Sequence, residues 1–200
     1  MEETKRMILV TSPPACGKTR LSKRLASELK HIVYLDKDTL IPLSKQIFAV
    51  AGQPYNRSSD FFEKEIRDYE YVVIVDMALE ALKYEDTVLV NAPFTREIRD
   101  MEYISSLKAK LAEVGAKLSV VWIVTDPEVC HQRMIKRASD RDTWKLENWD
   151  EYINSQNFAI PENLRDPQDD ESLLLYHNST DEMADESFAK LMKIFSSKEQ

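Results

Sequence analysis

Short apolar runs alternate along the chain with segments whose apolar residues recur every three or four positions. The runs are apolar at nearly every position, as expected for strands that are buried on both faces of a sheet. They lie at residues 7–11 (MILVT), 31–35 (HIVYL), 87–90 (TVLV), 118–124 (LSVVWIV) and, with the run LLLY, 172–176. Strands that alternate with helices are typical of a parallel sheet with crossover helices. The pattern therefore predicts an α/β fold.

The segments between these runs carry the period of amphipathic helices. The period covers residues 21–29, 60–84, 98–114, 127–138 and 188–195. Gly115 directly follows the third of these segments and predicts a glycine C-terminal cap. Asp126 and Pro127 form an N-cap and first-turn pair for the fourth. The helices are therefore expected to connect successive strands.

Two polar segments interrupt this alternation. Residues 42–60 are rich in proline, glycine, asparagine and serine, so we expect turns outside the sheet and an insertion over about residues 41–68. Residues 139–172 are also polar and predict a lid over about residues 133–165 with a connecting loop. Because the chain has 200 residues and no internal repeat, we expect a single domain over residues 1–200.

Composition and charge narrow the classes of function. The formal net charge is −8, which disfavours a nucleic-acid partner because a protein that holds a phosphate backbone needs a basic surface. The sequence shows no signal peptide, and no apolar run approaches the ~20 residues of a membrane span. Cys16 and Cys130 have neither CxxC spacing nor a histidine cluster nearby, so they predict no disulfide framework and no zinc site. We expect a cytoplasmic protein without a membrane partner.

The strongest motif lies between the first predicted strand and the helix that follows it. It matches the phosphate-binding (Walker A) pattern GxxxxGK[ST], except that Ser12 replaces the first glycine. Its residues are Ser12, Pro13, Pro14, Ala15, Cys16, Gly17, Lys18 and Thr19. Gly17 lets backbone N–H groups face the phosphates at the positive end of the helix dipole. Lys18 is expected to reach the β- and γ-phosphates and Thr19 to bind magnesium, with Arg20 beside them, so the motif predicts binding of ATP with Mg²⁺.

Two carboxylates follow the second predicted strand. Asp36 and Asp38 are expected at the carboxyl edge of the sheet, beside the phosphate-binding motif. A carboxylate at that edge can orient an acceptor hydroxyl, accept its proton late in the transfer and help to hold magnesium. Both aspartates are therefore candidate metal ligands together with Thr19. The alternative is a turn that is simply capped by acidic residues.

Two groups of arginines are candidate ligands for anions. Arg133, Arg137 and Arg141 are spaced so that at least the first two share a helix face, and guanidinium groups donate paired hydrogen bonds to phosphoryl oxygens. A solvated helix face is the alternative for this row. Arg67 in the insertion and Arg96 after the third strand are candidate ligands of an anionic acceptor, or else surface charges.

Together these motifs resemble the nucleoside-monophosphate-kinase-like branch of the P-loop kinases. The resemblance is greatest to the family that groups zeta toxins and polynucleotide kinases with small-molecule kinases. Beside SPPACGKT, the segment YLDKDTL resembles the zeta-toxin segment whose second aspartate is the base, which implies that role for Asp38. VLVNAPFTRE resembles the third strand and its following loop, and DPEVCHQRMIKRASDRDTWKL resembles the arginine-bearing lid. The resemblance covers nearly the whole chain.

This resemblance implies a three-layer fold with a five-stranded parallel sheet of order 2-3-1-4-5. It also implies that Lys18 and the lid arginines are catalytic and that Asn178 lies where such kinases contact adenine. Two residues depart from the family pattern: Ser12 in the loop, and Asn91, where many relatives end the third strand with an aspartate. A water-mediated magnesium contact of the Walker B type is therefore not implied at Asn91.

The sequence thus predicts an ATP- and Mg²⁺-dependent phosphotransferase that moves the γ-phosphoryl group to a hydroxyl or phosphate of a small acceptor. The alternatives are a P-loop ATPase coupled to a partner and a nucleotide-binding module without turnover. Asn91 counts against the ATPase, and the absence of an NKxD motif counts against a GTPase. The acceptor-side insertion at about residues 41–68 and the lid are expected to shape the acceptor pocket. Neither has a pattern that selects a nucleoside, a sugar, an antibiotic or a nucleotide-sugar, and no pattern specifies the oligomeric state.

Overall fold

The computed structural model describes residues 5–138 and 142–196, and within them five strands form one parallel sheet. The strands are β1 (Lys5–Thr11), β2 (Ile32–Asp36), β3 (Thr87–Asn91), β4 (Ala116–Val124) and β5 (Leu173–His177). Their order across the sheet is β2-β3-β1-β4-β5, and every neighbouring pair is parallel. The strands and strand order expected from the sequence are therefore confirmed.

Helices cover both faces of this sheet. Those of the described residues are α1 (Lys18–Glu28), α2 (Ile41–Val50), α3 (Asp60–Glu65), α4 (Arg67–Ala81), α5 (Met101–Glu113), α6 (Pro127–Arg137), α7 (Thr143–Glu147), α8 (Trp149–Ser155) and α9 (Asp181–Ser196). The helix expected at 60–84 is divided at Ile66, where ψ stays helical but φ opens to −126°. The helix expected at 98–114 begins at Met101 instead, because the Asp100 side chain accepts hydrogen bonds from the first turn.

The side chains of β1 show why the fold has three layers. Met7 and Leu9 point into a core with α4 and α5, whereas Ile8 and Val10 point into a second core with α1 and α9. All four side chains are fully buried. A strand with apolar residues on both faces must be covered on both faces, so the uninterrupted run at residues 7–11 leads directly to this arrangement.

The acceptor-side insertion corrects one expectation. Residues 42–60 carry turn signals, yet their first part forms α2. Pro42 is compatible with the first turn of a helix, where its missing N–H needs no partner, and Gly52 follows the helix with φ of 64°. Phe48 and Phe62 then form a small apolar cluster with Ile66, apart from the two main cores.

The carboxyl ends of β1, β2 and β3 meet at one edge of the sheet. Asp36, the last residue of β2, is paired in register with Asn91, the last residue of β3, and Asn91 is paired with Val10 of β1. The loop that follows β1 therefore lies beside the side chains that end the other two strands. Over residues 5–138 and 142–196, no helix combines the length and apolar composition needed to span a membrane.

Candidate active site

The loop between β1 and α1 has the backbone of a phosphate-binding turn. Gly17 caps α1 with φ of 100°, and Ala15 also has a positive φ, of 64°. Ser12 is not among the described residues with positive φ, so its Cβ causes no backbone strain at the position where the motif has glycine. The loop thus forms with serine at its first position, and the Ser12 side chain is buried within it.

Lys18 lies folded over this loop. Its Nζ donates hydrogen bonds to the carbonyl oxygens of Ser12, at 2.9 Å, and Pro13, at 3.0 Å. Burial lowers the pKa of Lys18 to about 8. The loop therefore places a partly desolvated ammonium group beside backbone N–H groups, and this combination suits a phosphate anion.

Asn178, just after β5, holds the loop from behind. Its side-chain Nδ2 donates a hydrogen bond of 2.6 Å to the carbonyl oxygen of Cys16, which also accepts one of 3.2 Å from Thr125 Oγ1. A Cβ atom at Gly17 would lie 2.4 Å from Asn178 Nδ2, so glycine is required there for space as well as for φ. Asn178 is 3% exposed, and its amide is committed to the loop. The adenine contact expected for it stays a prediction.

Thr19, Asp36 and Asn91 form a hydrogen-bonded group beside the loop, which we call the polar corner. The Asn91 side-chain amide donates to Asp36 Oδ2 at 2.9 Å and to Thr19 Oγ1 at 3.2 Å, while Tyr34 OH donates to the same Asp36 oxygen at 2.8 Å. The buried Asn91 Oδ1 has no hydrogen-bond partner among the described residues. Carboxylate, hydroxyl and amide oxygens are the ligands that magnesium takes, usually with substrate phosphates completing the shell. The residues present therefore fit Mg²⁺ bound together with a nucleotide.

The other sequence-predicted acid, Asp38, lies at the start of the short 3₁₀ helix after β2. Its backbone N–H donates to Asp36 Oδ1 at 3.0 Å. Asp36 is therefore the N-cap of this 3₁₀ helix and fixes the position of the Asp38 backbone. The Asp38 side chain is exposed and lines the cavity beside the loop. The alternative of an acidic cap is thus confirmed for Asp36, whose carboxylate also belongs to the polar corner, while the metal-ligand role of both aspartates stays a prediction.

Two of the three arginines predicted in the lid, Arg133 and Arg137, line the cavity beside the loop. Arg133 Nη2 donates to the carbonyl oxygen of Asn178 at 2.8 Å, whereas its buried Nη1 has no partner among the described residues. Arg137 Nε donates to the carboxylate of Asp142 at 2.8 Å, and Lys145 Nζ donates to its other oxygen at 3.2 Å. Asp142 is fully buried and so fixes both cations. Arg141 lies outside the described residues.

One cavity of about 370 Å³ joins these groups. It is lined by residues of the 12–20 segment and by Asp38, Arg133 and Arg137, which brings together most of the residues that the sequence singles out. Lys37, Arg57 and Lys145 line it as well, and no motif in the sequence singles out these three cations.

Glu70 of α4 holds two of the cations that line this cavity, Lys37 and Arg57. Arg57 donates two hydrogen bonds of 2.7 Å to its two carboxylate oxygens, and Lys37 and Ser44 donate one each at 2.5 Å. Burial acts to raise the pKa of Glu70, but the hydrogen bonds from Arg57, Lys37 and Ser44 outweigh it and lower that pKa to about 2. Arg57 is thereby held as a positioned cation whose side chain is 25% exposed. Its fork is further fixed by stacking on the Phe62 ring.

A sequence signal for this cluster existed. Glu70 stands at the helical spacing of Ile66, Ile74 and Ala78, all of which are buried. A carboxylate within an apolar stripe requires buried cationic or hydrogen-bonding partners. The spacing shows that such partners exist, but not that Arg57 is one of them.

Arg67 and Arg96 lie away from this cavity. Arg67 is paired with Glu97 at 2.7 Å, and Arg96 is paired with Glu63 at 2.7 Å. Arg96 lines a separate cavity of about 500 Å³ beside α4 and α5. The acceptor-binding role expected for these two arginines stays a prediction.

Comparison with known proteins places this site in a family. A protein-family model described as an AAA domain matches residues 7–158. No curated protein sequence matches the chain. Among solved structures, a putative kinase from Chloroflexus aurantiacus is similar with a TM-score of 0.61 at 18% identity, over 98% of this chain and 99% of that chain.

Two further structures support the same fold. A gluconokinase from Sinorhizobium meliloti has a TM-score of 0.53 at 16% identity, over 98% of this chain and 95% of that chain. A structure from the PezAT chromosomal toxin–antitoxin system of Streptococcus pneumoniae has a TM-score of 0.59 at 11% identity, over 98% of this chain and 88% of that chain. At these identities the likeness shows the fold, which is that of the P-loop kinases expected from the sequence.

Proposed function

This chain belongs to the AAA-domain family that matches its residues 7–158, and from that premise we propose that it is an ATP- and Mg²⁺-dependent phosphotransferase. The observation that carries the proposal is the convergence of Lys18, Asp38 and Arg133 on one cavity, although they lie in three separate parts of the chain. A phosphate anchor, a carboxylate for the acceptor and a cation for the transferred group are the parts that phosphoryl transfer requires.

Phosphate binding falls to the loop and Lys18. The ammonium group of Lys18, now bonded to two loop carbonyls, exchanges those partners for phosphate oxygens, and the negative charge favours its protonated form. Arg133 offers a buried N–H donor without a partner among the described residues, directed from the lid helix. Both groups offset the negative charge on the transferred phosphoryl group.

Thr19 and Asp36 are the residues that would hold magnesium, with Asn91 between them. When bound, Mg²⁺ neutralises phosphate charge and fixes the orientation of the phosphates. Asn91 keeps the Asp36 carboxylate in place through its amide N–H. Asp36 in turn orients the turn that carries Asp38.

Asp38 is the residue that would bind the reacting hydroxyl of the acceptor. Its carboxylate orients the acceptor hydroxyl by accepting a hydrogen bond. As the new O–P bond forms and the bond to the β-phosphate oxygen breaks, Asp38 takes the hydroxyl proton and ADP leaves. The lid cations, fixed by the buried Asp142, cover the cavity and limit the access of water.

The charge around the cavity indicates that the acceptor is an anion. Lys37 and Arg57 share the single carboxylate of Glu70, and Arg137 and Lys145 share that of Asp142. Each group therefore keeps a surplus positive charge, in addition to those of Lys18 and Arg133. This surplus favours a small acceptor that carries a carboxylate or phosphate as well as the reacting hydroxyl.

The test is release of ADP from magnesium-ATP with a panel of small acceptors, compared with a control that lacks acceptor. The panel begins with sugar acids, which combine hydroxyls with a carboxylate, since one structure of this fold is a gluconokinase. Matched neutral polyols form its second arm. We expect an anionic acceptor to raise ADP release, and Lys18→Ala and Asp38→Asn to abolish that rise.

Lys108→Ala and Asp170→Asn are the matched controls, because both positions are exposed and lie outside the cavity. A Lys18→Ala protein as active as Lys108→Ala would contradict the proposal. ADP release that is equal with and without every acceptor would identify an ATPase instead.

A further inference from the structure

Cys16 and Cys130 are neighbours in the structure although 114 positions separate them in the chain, and their Sγ atoms lie 3.3 Å apart. Cys16 belongs to the phosphate-binding loop, and Cys130 lies in α6, the helix that also carries Arg133. Both side chains are fully buried and both thiols are free. The proposed phosphotransfer uses neither sulfur atom.

The two thiols differ in acidity. The hydrogen bond from Cys130 and the nearby charge of Lys18 lower the pKa of Cys16 to about 7, despite its burial. The same hydrogen bond, together with burial, raises the pKa of Cys130. One sulfur is thus available as a thiolate, which is the nucleophilic form, while the other keeps its proton.

We propose that Cys16 and Cys130 form a dithiol site that hydrogen peroxide oxidises to a disulfide, and that this modification weakens nucleotide binding. The Cys16 thiolate attacks a peroxide oxygen, the O–O bond breaks, and one water leaves after protonation. Cys130 then attacks the sulfur of the resulting sulfenic acid, an S–S bond forms, and the hydroxyl leaves with the Cys130 proton as a second water. The two thiols lose two electrons and two protons, which the peroxide gains.

The dithiol site lies next to the cavity. Ala15 and Gly17, the residues on either side of Cys16, line the cavity of about 370 Å³, so hydrogen peroxide in the cavity reaches the buried sulfur when this loop opens. Tyr152 of α8 lies near both thiols: burial, then the proximity of Cys16 and Cys130, raise its pKa. Its buried hydroxyl has no partner among the described residues. That O–H can donate to the thiolate or to the sulfenic oxygen.

Disulfide formation pulls Cys16 towards α6. The covalent bond shortens the distance between the two sulfur atoms from 3.3 Å to about 2.0 Å, and the two side chains and the loop and helix that carry them share this displacement. The Cys16 carbonyl is already held by Asn178 and Thr125, and a shift of Cys16 therefore redirects the N–H groups that face the phosphates. A misplacement of about 1 Å costs on the order of 100-fold in transfer.

The experiment treats the reduced full chain with hydrogen peroxide and measures its intact mass, followed by peptide mapping without reductant. We expect the loss of two hydrogen atoms and a linked peptide pair that contains Cys16 and Cys130. ATP affinity is measured by calorimetry on the same samples. It should fall by about tenfold or more on oxidation, because hydrogen bonds from the loop to the charged phosphates are lost, and return after treatment with dithiothreitol.

Cys130→Ser and Cys16→Ser are tested separately. If one of them fails to fold, the other still tests the proposal. Neither variant should form a linked pair, and the ATP affinity of Cys130→Ser, whose substituted position lies in α6 outside the loop, should fall less after peroxide treatment than that of the wild type. Oxidation of the wild-type chain to sulfinic acid without a disulfide would overturn the proposal, and so would a disulfide that leaves ATP affinity unchanged. The mass readout stands whether or not the proposed phosphotransfer is correct.

Discussion

The side-chain amide of Asn91 donates a hydrogen bond of 2.9 Å to Oδ2 of Asp36, its register partner on the neighbouring strand. The last residue of β3 is therefore a neutral donor, and the acid stands one strand away, at the end of β2. With an aspartate in place of Asn91, two carboxylates would meet across this distance and repel each other. In the polar corner, the negative charge is therefore that of the Asp36 carboxylate at the end of β2, and Asn91 is neutral.

Asn91→Asp should strengthen magnesium binding. A second carboxylate beside Asp36 adds negative charge, and bound Mg²⁺ would offset the repulsion between the two carboxylates. We therefore expect half-saturation by Mg²⁺ at about tenfold lower concentration in the ADP-release assay. Without the metal, the same repulsion should lower the urea midpoint of unfolding. Asp36→Asn should act in the opposite direction and raise the Mg²⁺ requirement. Identical magnesium curves for the wild type and both variants would exclude this corner as the metal site.

The strands could be predicted because burial on both faces leaves a direct trace in the sequence. β1 and β4 are apolar runs, and their central residues have no solvent contact. The phosphate-binding loop could be predicted because its motif at residues 12–19 lies between an apolar run and a segment with helical periodicity. The expected α/β architecture follows from those local patterns.

The cation cluster around Glu70 could not be predicted in the same way. Arg57 lies in a turn before α3, and its partner Glu70 lies 13 positions later in α4. The pairing depends on how α2, α3 and α4 pack around Phe48 and Phe62, and no local pattern encodes that packing. Arg96 was singled out because it follows a strand, yet it faces a different cavity.

Lys18→Met should stabilise the protein while abolishing transfer. Burial lowers the pKa of Lys18 to about 8, so in the folded state the protonated form is disfavoured relative to the unfolded chain. The resulting cost is fully present below pH 8 and is relieved as the pH rises towards the ordinary lysine value. We expect a gain of about 1 to 2 kcal/mol at pH 7 in urea unfolding, with Lys108→Met unchanged.

The same pKa predicts how nucleotide affinity depends on pH. Lys18 must carry its charge to bind phosphate, and above pH 8 binding must first add a proton to the folded protein. ATP affinity measured by calorimetry should therefore fall as the pH rises above about 8. A flat affinity from pH 7 to pH 9.5 would contradict the assigned role of Lys18.

Glu70→Gln should destabilise the protein strongly. Glu70 is 4% exposed, and the substitution leaves Lys37 and Arg57 without their shared carboxylate, at a cost of about 3 to 5 kcal/mol. Because the folded pKa of about 2 lies below the usual 4.5, the carboxylate stabilises the fold above pH 4.5 and loses this contribution as the pH falls towards 2. Urea midpoints between pH 2 and pH 6 should fall more steeply with acid in the wild type than in the variant. Parallel curves would show that Glu70 does not carry this charge.

Arg57→Ala should weaken binding of the acceptor and leave binding of ATP unchanged. Arg57 and Lys18 line the same cavity from two different segments, the insertion and the phosphate-binding loop, so we expect the acceptor KM to rise by about tenfold or more and the ATP KM to stay within about twofold. Arg57→Lys should recover only part of the loss, because it keeps the charge without the paired donors. Arg165→Ala, an exposed arginine paired only with Glu162 among the described residues, is the control. If Arg96→Ala raised the acceptor KM instead, the acceptor would bind in the second cavity.

Gly17→Ala should inactivate the loop, and Asn178 should determine how much stability is lost. The new Cβ would lie 2.4 Å from Asn178 Nδ2, so Asn178 has to release the Cys16 carbonyl. The alanine would also have to adopt a φ of 100°, which residues with a side chain rarely take. Asn178→Ala alone loses that hydrogen bond, at a cost of about 1 kcal/mol. In the double variant the collision is gone and the hydrogen bond is lost only once, so the combined loss of stability should be smaller than the sum of the single losses. Urea unfolding of all four proteins measures this coupling, and strictly additive losses would show that Asn178 does not support the loop.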